Sequence, residues 1–274
     1  VVVYLTLNRQ EISMNQDVTP IRQQYLDIKK KHPNDIVFFR LGDFYETFDT
    51  DAEITSRELE IVLTSRNVAK GQRVPMAGIP FHAAENYLSR LISKGYHVAI
   101  CEQIGDQPVK GLFPRQVVRV VTPGTVLEPG LLKGDRHNYL LSFILSENAA
   151  GIAYADITTG EFAATELMGV DLQAKIRSEI ARLKPSEILS ISNEIFSDDA
   201  NWHITKWAGW HYERNRAYES LCQHFKVTTL DGFGFRGLNQ AIRAAGALLQ
   251  YLMETQPDAI AILASIRHYQ TTDF

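Results

Sequence analysis

The chain has 274 residues, of which 45% are hydrophobic and 22% charged, a balance typical of a soluble globular protein with room for two domains and separate cores. No apolar run is long enough to cross a bilayer and no signal-peptide pattern is present, so the sequence is compatible with the cytosol. Cys101 and Cys222 lie far apart without a partner at metal-ligand spacing, and we interpret both as buried thiols.

The formal net charge of -4 is unevenly distributed along the chain. Residues 14–134 carry 15 Lys and Arg against 14 Asp and Glu, whereas residues 135–274 carry 12 against 17. If either half meets a polyanion, we therefore expect it to be the first. Basic residues concentrate within 61–101 and 107–127. Such runs are compatible with a phosphate-binding surface or with an ordinary solvated face.

The first half predicts a small α+β domain with a mixed sheet. Residues 1–13 are an extension of unknown origin. Thr19 followed by Pro20 predicts a helix start, and Pro33 ends that helix. The other predicted elements are a strand over 36–41, a helix opened by a capping box at 50–53, a strand over 61–64, loops over 67–73 and 75–80, a helix from His82 closed by Gly95, and strands over 97–101 and 116–121.

The second half predicts three strands followed by alternating helices and strands, the order of a ribonuclease H-like α/β layer. We place the first domain at residues 14–126, a linker at 127–135 and the second domain at 136–268. The predicted elements are strands over 139–145, 151–156 and 161–166, a helix over 172–183, strands over 187–191 and 202–207, and helices over 214–225 and 238–254.

The segment 37–46 organises the first domain. It is an apolar run that breaks at a Gly-Asp pair and ends in Phe44, Tyr45 and Glu46, which is typical of a buried strand entering a turn. If the turn reaches the surface, it presents a ring and a carboxylate together at the domain edge. The alternative is a core strand with an incidental glutamate. Because alternate side chains of an extended segment face opposite ways, exposed Phe44 and Glu46 would require a buried Tyr45.

Two other patterns suggest enzymatic chemistry. Residues 232–237 match G-x-G-x-x-G, but a helix precedes them and no acidic residue ends a following strand, which favours a loop between helices over a dinucleotide site. Asp156 ends a strand, as do the metal-binding carboxylates of ribonuclease H-like nucleases. Its candidate partners are Glu187, Asp198 and Asp199. The alternative is an aspartate that hydrogen-bonds its own turn.

Several blocks of the sequence coincide in order and spacing with one family. Together they resemble the N-terminal part of the MutS mismatch-recognition family, from about residue 18 to the end. The blocks are FRLGDFYE at 39–46, PMAGIPFHA at 75–83, VAICEQ at 98–103, VRVVTPGT at 118–125, DITTGEF at 156–162 and AAGALLQY at 244–251.

The resemblance implies a mismatch-binding domain followed by a connector domain of ribonuclease H-like fold. It implies that Phe44 inserts from the minor groove and stacks on the mispaired base, and that Glu46 hydrogen-bonds that base. Leu41 stands where relatives often have Met or Val. Further residues expected to lie near DNA are Leu41, Met76, Arg66, Lys70, Arg115 and Arg119.

The resemblance also implies that this chain is a fragment, with residues 269–274 starting a truncated core domain. We expect no catalytic residue, metal site or cofactor in it, because ATP and Mg²⁺ belong to a C-terminal ATPase domain outside the chain. The expected partners are mismatched double-stranded DNA, a MutL-like repair protein docked on the connector domain, and a second copy in the full-length protein. The expected location is the bacterial cytoplasm, at the nucleoid.

Overall fold

A computed structural model describes residues 18–69, 71–105, 107–108, 111–132, 134, 136–192 and 202–271. The chain divides into two units, with the division between Val118 and Arg119. Residues 1–13, for which the sequence suggested only an extension, lie outside the described residues. No helix in the described ranges is long and apolar enough to cross a membrane.

The first unit is built on a mixed sheet, as predicted. Its elements are α1 (Pro20–Lys31), β1 (Ile36–Leu41), β2 (Phe44–Phe48), α2 (Asp49–Leu59), β3 (Thr64–Ala69), β4 (Gln72–Pro80), α3 (Ala84–Ile92), β5 (Val98–Gln103) and β6 (Arg115–Val121), the last of which crosses the division between the units. Strand β1 pairs antiparallel with β2 and parallel with β5, and the strand order is β3-β4-β2-β1-β5-β6.

The start of α1 follows from its sequence. Thr19 is the N-cap, and its Oγ1 accepts a hydrogen bond from the Arg22 amide at 3.4 Å. Pro20 occupies the first turn, where its missing amide hydrogen costs nothing. The buried Tyr25 ring then packs edge-on against Phe39 and Phe48, at centroid distances of 5.8 and 4.9 Å. The predicted helix is thereby confirmed and attached to one face of the sheet.

The predicted loops over 67–73 and 75–80 are wrong, because β3 and β4 form an antiparallel hairpin around Gly71. The predicted strand over 61–64 is displaced to 64–69. Strand β3 lies at the edge of the sheet and is polar from Thr64 to Asn67, so it shows no hydrophobic alternation. Pro75 and Pro80 in β4 made that strand resemble a loop.

The predicted capping box at 50–53 is also wrong. Helix α2 begins at Asp49 with Phe48 as N-cap and no side-chain cap. Asp51 is buried and binds tertiary partners instead: its Oδ2 accepts from the Val37 amide at 3.0 Å and its Oδ1 lies 2.8 Å from Lys29 Nζ. Asp51 thus joins α2 to β1 and α1 instead of facing water.

The second unit has the predicted order of a ribonuclease H-like layer. Its elements are β7 (Leu140–Leu145), β8 (Ala149–Asp156), β9 (Glu161–Met168), α4 (Leu172–Leu183), β10 (Glu187–Ser190), β11 (Ile204–Lys206), α5 (Arg214–Phe225), α6 (Asn239–Thr255) and β12 (Arg267–His268). Strands β7, β8 and β9 are antiparallel, β10 pairs parallel with β7 and β11 parallel with β10, and the order is β11-β10-β7-β8-β9-β12. The two-residue β12, parallel to β9, was not predicted.

The core of this unit has two layers, one on each face of the sheet. Leu140 and Ala153 join α5 and α6 in one cluster, whereas Leu141 and Ile152 join α4 in the other. Consecutive residues of a strand therefore serve opposite layers, which explains the continuous apolar runs of β7 and β8.

Two glycines allow α6 to approach its neighbours closely. A Cβ on Gly246 would lie 2.4 Å from both the Cα and Cβ of Ala217 on α5. A Cβ on Gly151 would lie 1.9 Å from the backbone oxygen of Gln240 at the start of α6. Because both obstacles include backbone atoms, a side chain at either position must move a whole element.

We expect Gly246→Ala to destabilise this chain by about 1 to 3 kcal/mol, the usual cost of overpacking a core, although alanine is the better helix former. Denaturant unfolding followed by tryptophan fluorescence measures the change. Gly232→Ala is the matched control, because a Cβ there meets nothing within 4 Å. Equal stability of the two variants would contradict the close crossing of α5 and α6.

Candidate nucleic-acid interface

A two-residue turn brings Phe44 to the end of the first sheet. Leu41 pairs with Phe44 across β1 and β2, which leaves Gly42 and Asp43 as the turn. Gly42 has φ of +58°, a conformation that glycine adopts without strain. The Asp43 carbonyl accepts a hydrogen bond from the Phe81 amide at 2.9 Å, so the turn is also fixed to the end of β4.

The side chains of β2 alternate between the two faces of the sheet. Phe44 is 45% exposed and Tyr45 only 7%, as the sequence predicted. The Tyr45 hydroxyl donates to a carboxylate oxygen of Glu102, and burial together with this bond raises the pKa of Tyr45 to about 12. The tyrosine therefore anchors the strand on one face while the phenylalanine ring remains available on the other.

Glu46 is less exposed than the sequence suggested. Its side chain is 13% exposed, and its Oε2 forms an ion pair with Arg66 Nη1 on the edge strand β3. The Arg66 side chain is 38% exposed. The expectation of two exposed side chains is thus wrong for Glu46, because a cation two strands away neutralises and covers it. Gly78, opposite Glu46 on β4, adds no side chain to this face.

Leu41 and Met76 border the same face. Leu41 lies directly opposite Phe44, and Met76 lies opposite Phe48 in the register of β2 and β4. Both are half-buried. Lys70 lies outside the described residues. The proximity of these three residues to DNA stays a prediction.

The remaining two basic candidates are bound to protein groups. Arg115 Nε donates to the Arg40 carbonyl at 2.8 Å, and its guanidinium carbon lies 5.1 Å from the centre of the Phe39 ring. Burial lowers the pKa of Arg115. Arg119, in the second unit, forms a 2.5 Å ion pair with Glu128. Phosphate contacts by either residue stay predictions, and each would compete with these partners.

Sequence reasoning missed one feature of this surface. Phe81 is exposed directly after β4, and the Arg40 guanidinium stacks on its ring at 3.6 Å. Its position after Pro80, which pairs with Phe44, places this second ring at the same end of the sheet. An aromatic residue at the end of a proline-bounded apolar segment was the available signal.

The geometry around Asp156 matches the turn interpretation rather than a metal site. Asp156 is buried, its Oδ1 accepts from the Thr158 amide and hydroxyl at 2.9 and 2.6 Å, and its Oδ2 accepts from the Asn138 amide at 3.2 Å. Among the residues described above, no three His, Cys, Asp or Glu side chains are grouped to hold a metal ion. Asp198 and Asp199 lie outside the described residues.

The other candidate partner and the glycine-rich motif also have structural roles. Glu187 is fully buried and accepts hydrogen bonds from the Gly124 amide, Thr205 and Tyr251 at 2.6 to 2.9 Å. Residues 232–237 connect α5 and α6, as predicted for a loop between helices. A dinucleotide fingerprint requires a preceding strand, so this segment does not fulfil that motif.

Comparisons with known proteins point to one family in both halves of the chain. A family model described as MutS domain I matches residues 19–129, and one described as MutS domain II matches residues 138–269. The DNA mismatch repair protein MutS of Dehalococcoides mccartyi (strain CBDB1) is 51% identical over 262 residues, which cover 94% of this chain and 30% of that protein. The MutS proteins of Symbiobacterium thermophilum and Alkaliphilus oremlandii are 43% and 40% identical to this chain over 267 residues. In both cases the match covers 93% of this chain and 30% of the relative.

The chain thus spans about 30% of the length of the curated relatives it matches. The two family models follow each other in the chain and account for both sheets described above. From the agreement of family models, relatives and fold, we conclude that this chain belongs to the MutS family and carries its domains I and II.

Proposed function

We propose that the first unit recognises mismatched DNA by inserting Phe44 at the mispaired base, with Glu46 hydrogen-bonding that base. Membership in the MutS family supports mismatch recognition in general. The observation that carries the finer proposal is the arrangement on β2: an exposed ring at a rigid turn and a carboxylate two residues further on the same face.

The physical basis is the cost of opening a base step. A side chain that wedges into the stack has to unstack bases, which costs a few kcal/mol, and less where pairing is already broken. Bending at the wedge likewise costs least at a flexible step. The penalty itself therefore selects mismatches, and the protein needs no contact that reads the base sequence.

A side chain that inserts between stacked bases must also keep its position while it separates them. The Tyr45 hydroxyl bond to Glu102 and the backbone bond from Phe81 to Asp43 hold the turn from two sides. The ring lies over Gly78, where an added Cβ would make an ordinary van der Waals contact of 3.6 Å with Phe44 Cδ1. Phe44 is thus a partly exposed ring on a fixed backbone.

Glu46 adds discrimination by an unfavourable interaction. A carboxylate near a phosphate backbone weakens binding to every duplex, and the loss is recovered only where a displaced base offers a donor. A surface that contained only cations would bind matched DNA nearly as well as mismatched DNA.

We further propose the wider roles implied by the family. The second unit would serve as a connector between mismatch recognition and an ATPase part of the longer protein. That ATPase part would bind ATP and Mg²⁺. The second unit would also dock a MutL-like partner. The longer protein would act as a homodimer in the bacterial cytoplasm, at the nucleoid. The acidic balance of residues 135–274 is consistent with a surface that meets protein rather than DNA.

We expect Phe44→Ala, in the full-length protein, to lower the ratio of mismatched to matched duplex affinity by roughly five- to hundredfold, the range for one aromatic stacked on a base. Fluorescence anisotropy with two labelled duplexes that differ at one base pair measures this ratio. Phe81→Ala removes a neighbouring exposed ring and should leave the ratio unchanged. Full discrimination by the Phe44→Ala protein would refute the wedge.

We expect Glu46→Ala to bind matched duplex about two- to tenfold more tightly at low salt, because a carboxylate is lost and its cation partner is freed. The same anisotropy titration, repeated at increasing salt, measures the effect and its screening. Glu53→Ala removes an exposed carboxylate from α2 and serves as the control. Unchanged or weaker matched binding by Glu46→Ala would show that this carboxylate does not oppose DNA.

A further inference from the structure

The ion pair between Arg66 and Glu46 is one-sided. Arg66 Nη1 contacts Oε2 of the carboxylate, whereas Oε1 makes no hydrogen bond to any residue in the described part of the chain. A guanidinium that binds one oxygen restricts rotation of the carboxylate and leaves the lone pairs of the other oxygen open. Glu46 therefore presents one fixed acceptor on the same face as Phe44.

Packing encloses the Arg66 side chain only in part. The side chain is 38% exposed, and Arg66 lines a cavity of about 140 Å³ together with Arg22 and Phe48. Among the residues that the structure describes, Glu46 is the one hydrogen-bond partner of the guanidinium, so loss of either side chain should release the other.

The surrounding charges make Arg66 the direct counter-ion of Glu46. Arg115 also acts on Glu46 through space, but its Nε and Nη1 donate to the Arg40 carbonyl and to Gln24 Oε1. Arg22 is engaged by Asp49 at 2.6 Å. Without Arg66, the Glu46 carboxylate would both rotate more freely and repel an approaching phosphate more strongly.

We propose that Arg66 is a positioning residue for mismatch discrimination: it orients the Glu46 carboxylate so that Oε1 alone accepts from a displaced base, and it offsets the charge of that carboxylate near DNA. This inference rests on the proposed role of Glu46. It differs from a simple phosphate contact, because Arg66 then acts on specificity through Glu46 rather than on affinity for all duplexes.

A double-mutant cycle in the full-length protein tests this, with matched and mismatched duplexes and the variants Arg66→Met, Glu46→Ala and the pair. We expect Arg66→Met to lower the mismatched-to-matched affinity ratio about fivefold when Glu46 is present. In the Glu46→Ala background the same substitution should leave the ratio unchanged. Arg66→Lys keeps a cation within reach of Oε2 and should restore most of the discrimination.

Arg73→Met is the matched control, because Arg73 is an exposed arginine on the adjoining strand β4. An equal fall in affinity for both duplexes, in both backgrounds, with a salt slope reduced by about one, would identify Arg66 as a phosphate contact and overturn the proposal. A ratio that falls equally with and without Glu46 would also overturn it. An unchanged ratio in Glu46→Ala alone would instead refute the proposed role of Glu46, so the two failures are distinguishable.

Discussion

The candidate site depends on the alternation of side chains along β2. Tyr45 is buried and bonded to Glu102, which fixes the orientation of the strand about its own axis. Because neighbours in a strand face opposite ways, Phe44 and Glu46 must then lie on the other face. A shift of register by one residue would bury the ring and expose the tyrosine. The buried hydroxyl bond thus determines which side chain of β2 is exposed.

Charges on both faces of the first sheet are organised in pairs. Arg66 binds Glu46, Arg22 binds Asp49, and Arg40 stacks on Phe81 while it lies 3.9 Å from Glu102. Partly exposed pairs of this kind contribute only about 0 to 1 kcal/mol to stability. Their consequence is geometric, since each pair holds a side chain in one direction. In the proposed function, paired charges would favour discrimination over tight, indiscriminate binding to phosphates.

The second unit shows how buried polar groups fix the course of a chain. The fully buried Glu187 carboxylate accepts hydrogen bonds from the Gly124 amide, Tyr251 of α6 and Thr205 of β11. Such a carboxylate is tolerable only when its oxygens are satisfied. The Thr-Pro-Gly-Thr segment after β6 is thereby attached to the sheet of the second unit. Its partner Glu187 lies more than 60 positions further along the chain, where no local sequence signal reaches.

Local signals determined much of the fold. Helix α1 follows from Thr19 and Pro20, β7 to β9 from hydrophobic runs and turns, and the opposite exposure of Phe44 and Tyr45 from the period of a strand. The predictions failed where a residue's role depends on its neighbours in the fold. Strand β3 is polar because it lies at the sheet edge, and Asp51 caps no helix because its carboxylate accepts hydrogen bonds from distant donors.

The sequence by itself determined that a ring and a carboxylate stand two residues apart on one strand, since residue type and strand period are local properties. The roles of wedge and acceptor come from the resemblance to the MutS family. Only the tertiary structure decided that Glu46 is covered and paired with Arg66, because the two residues meet across an intervening strand. Which cation reaches which carboxylate depends on sheet order and twist, and no spacing along the chain encodes that distance.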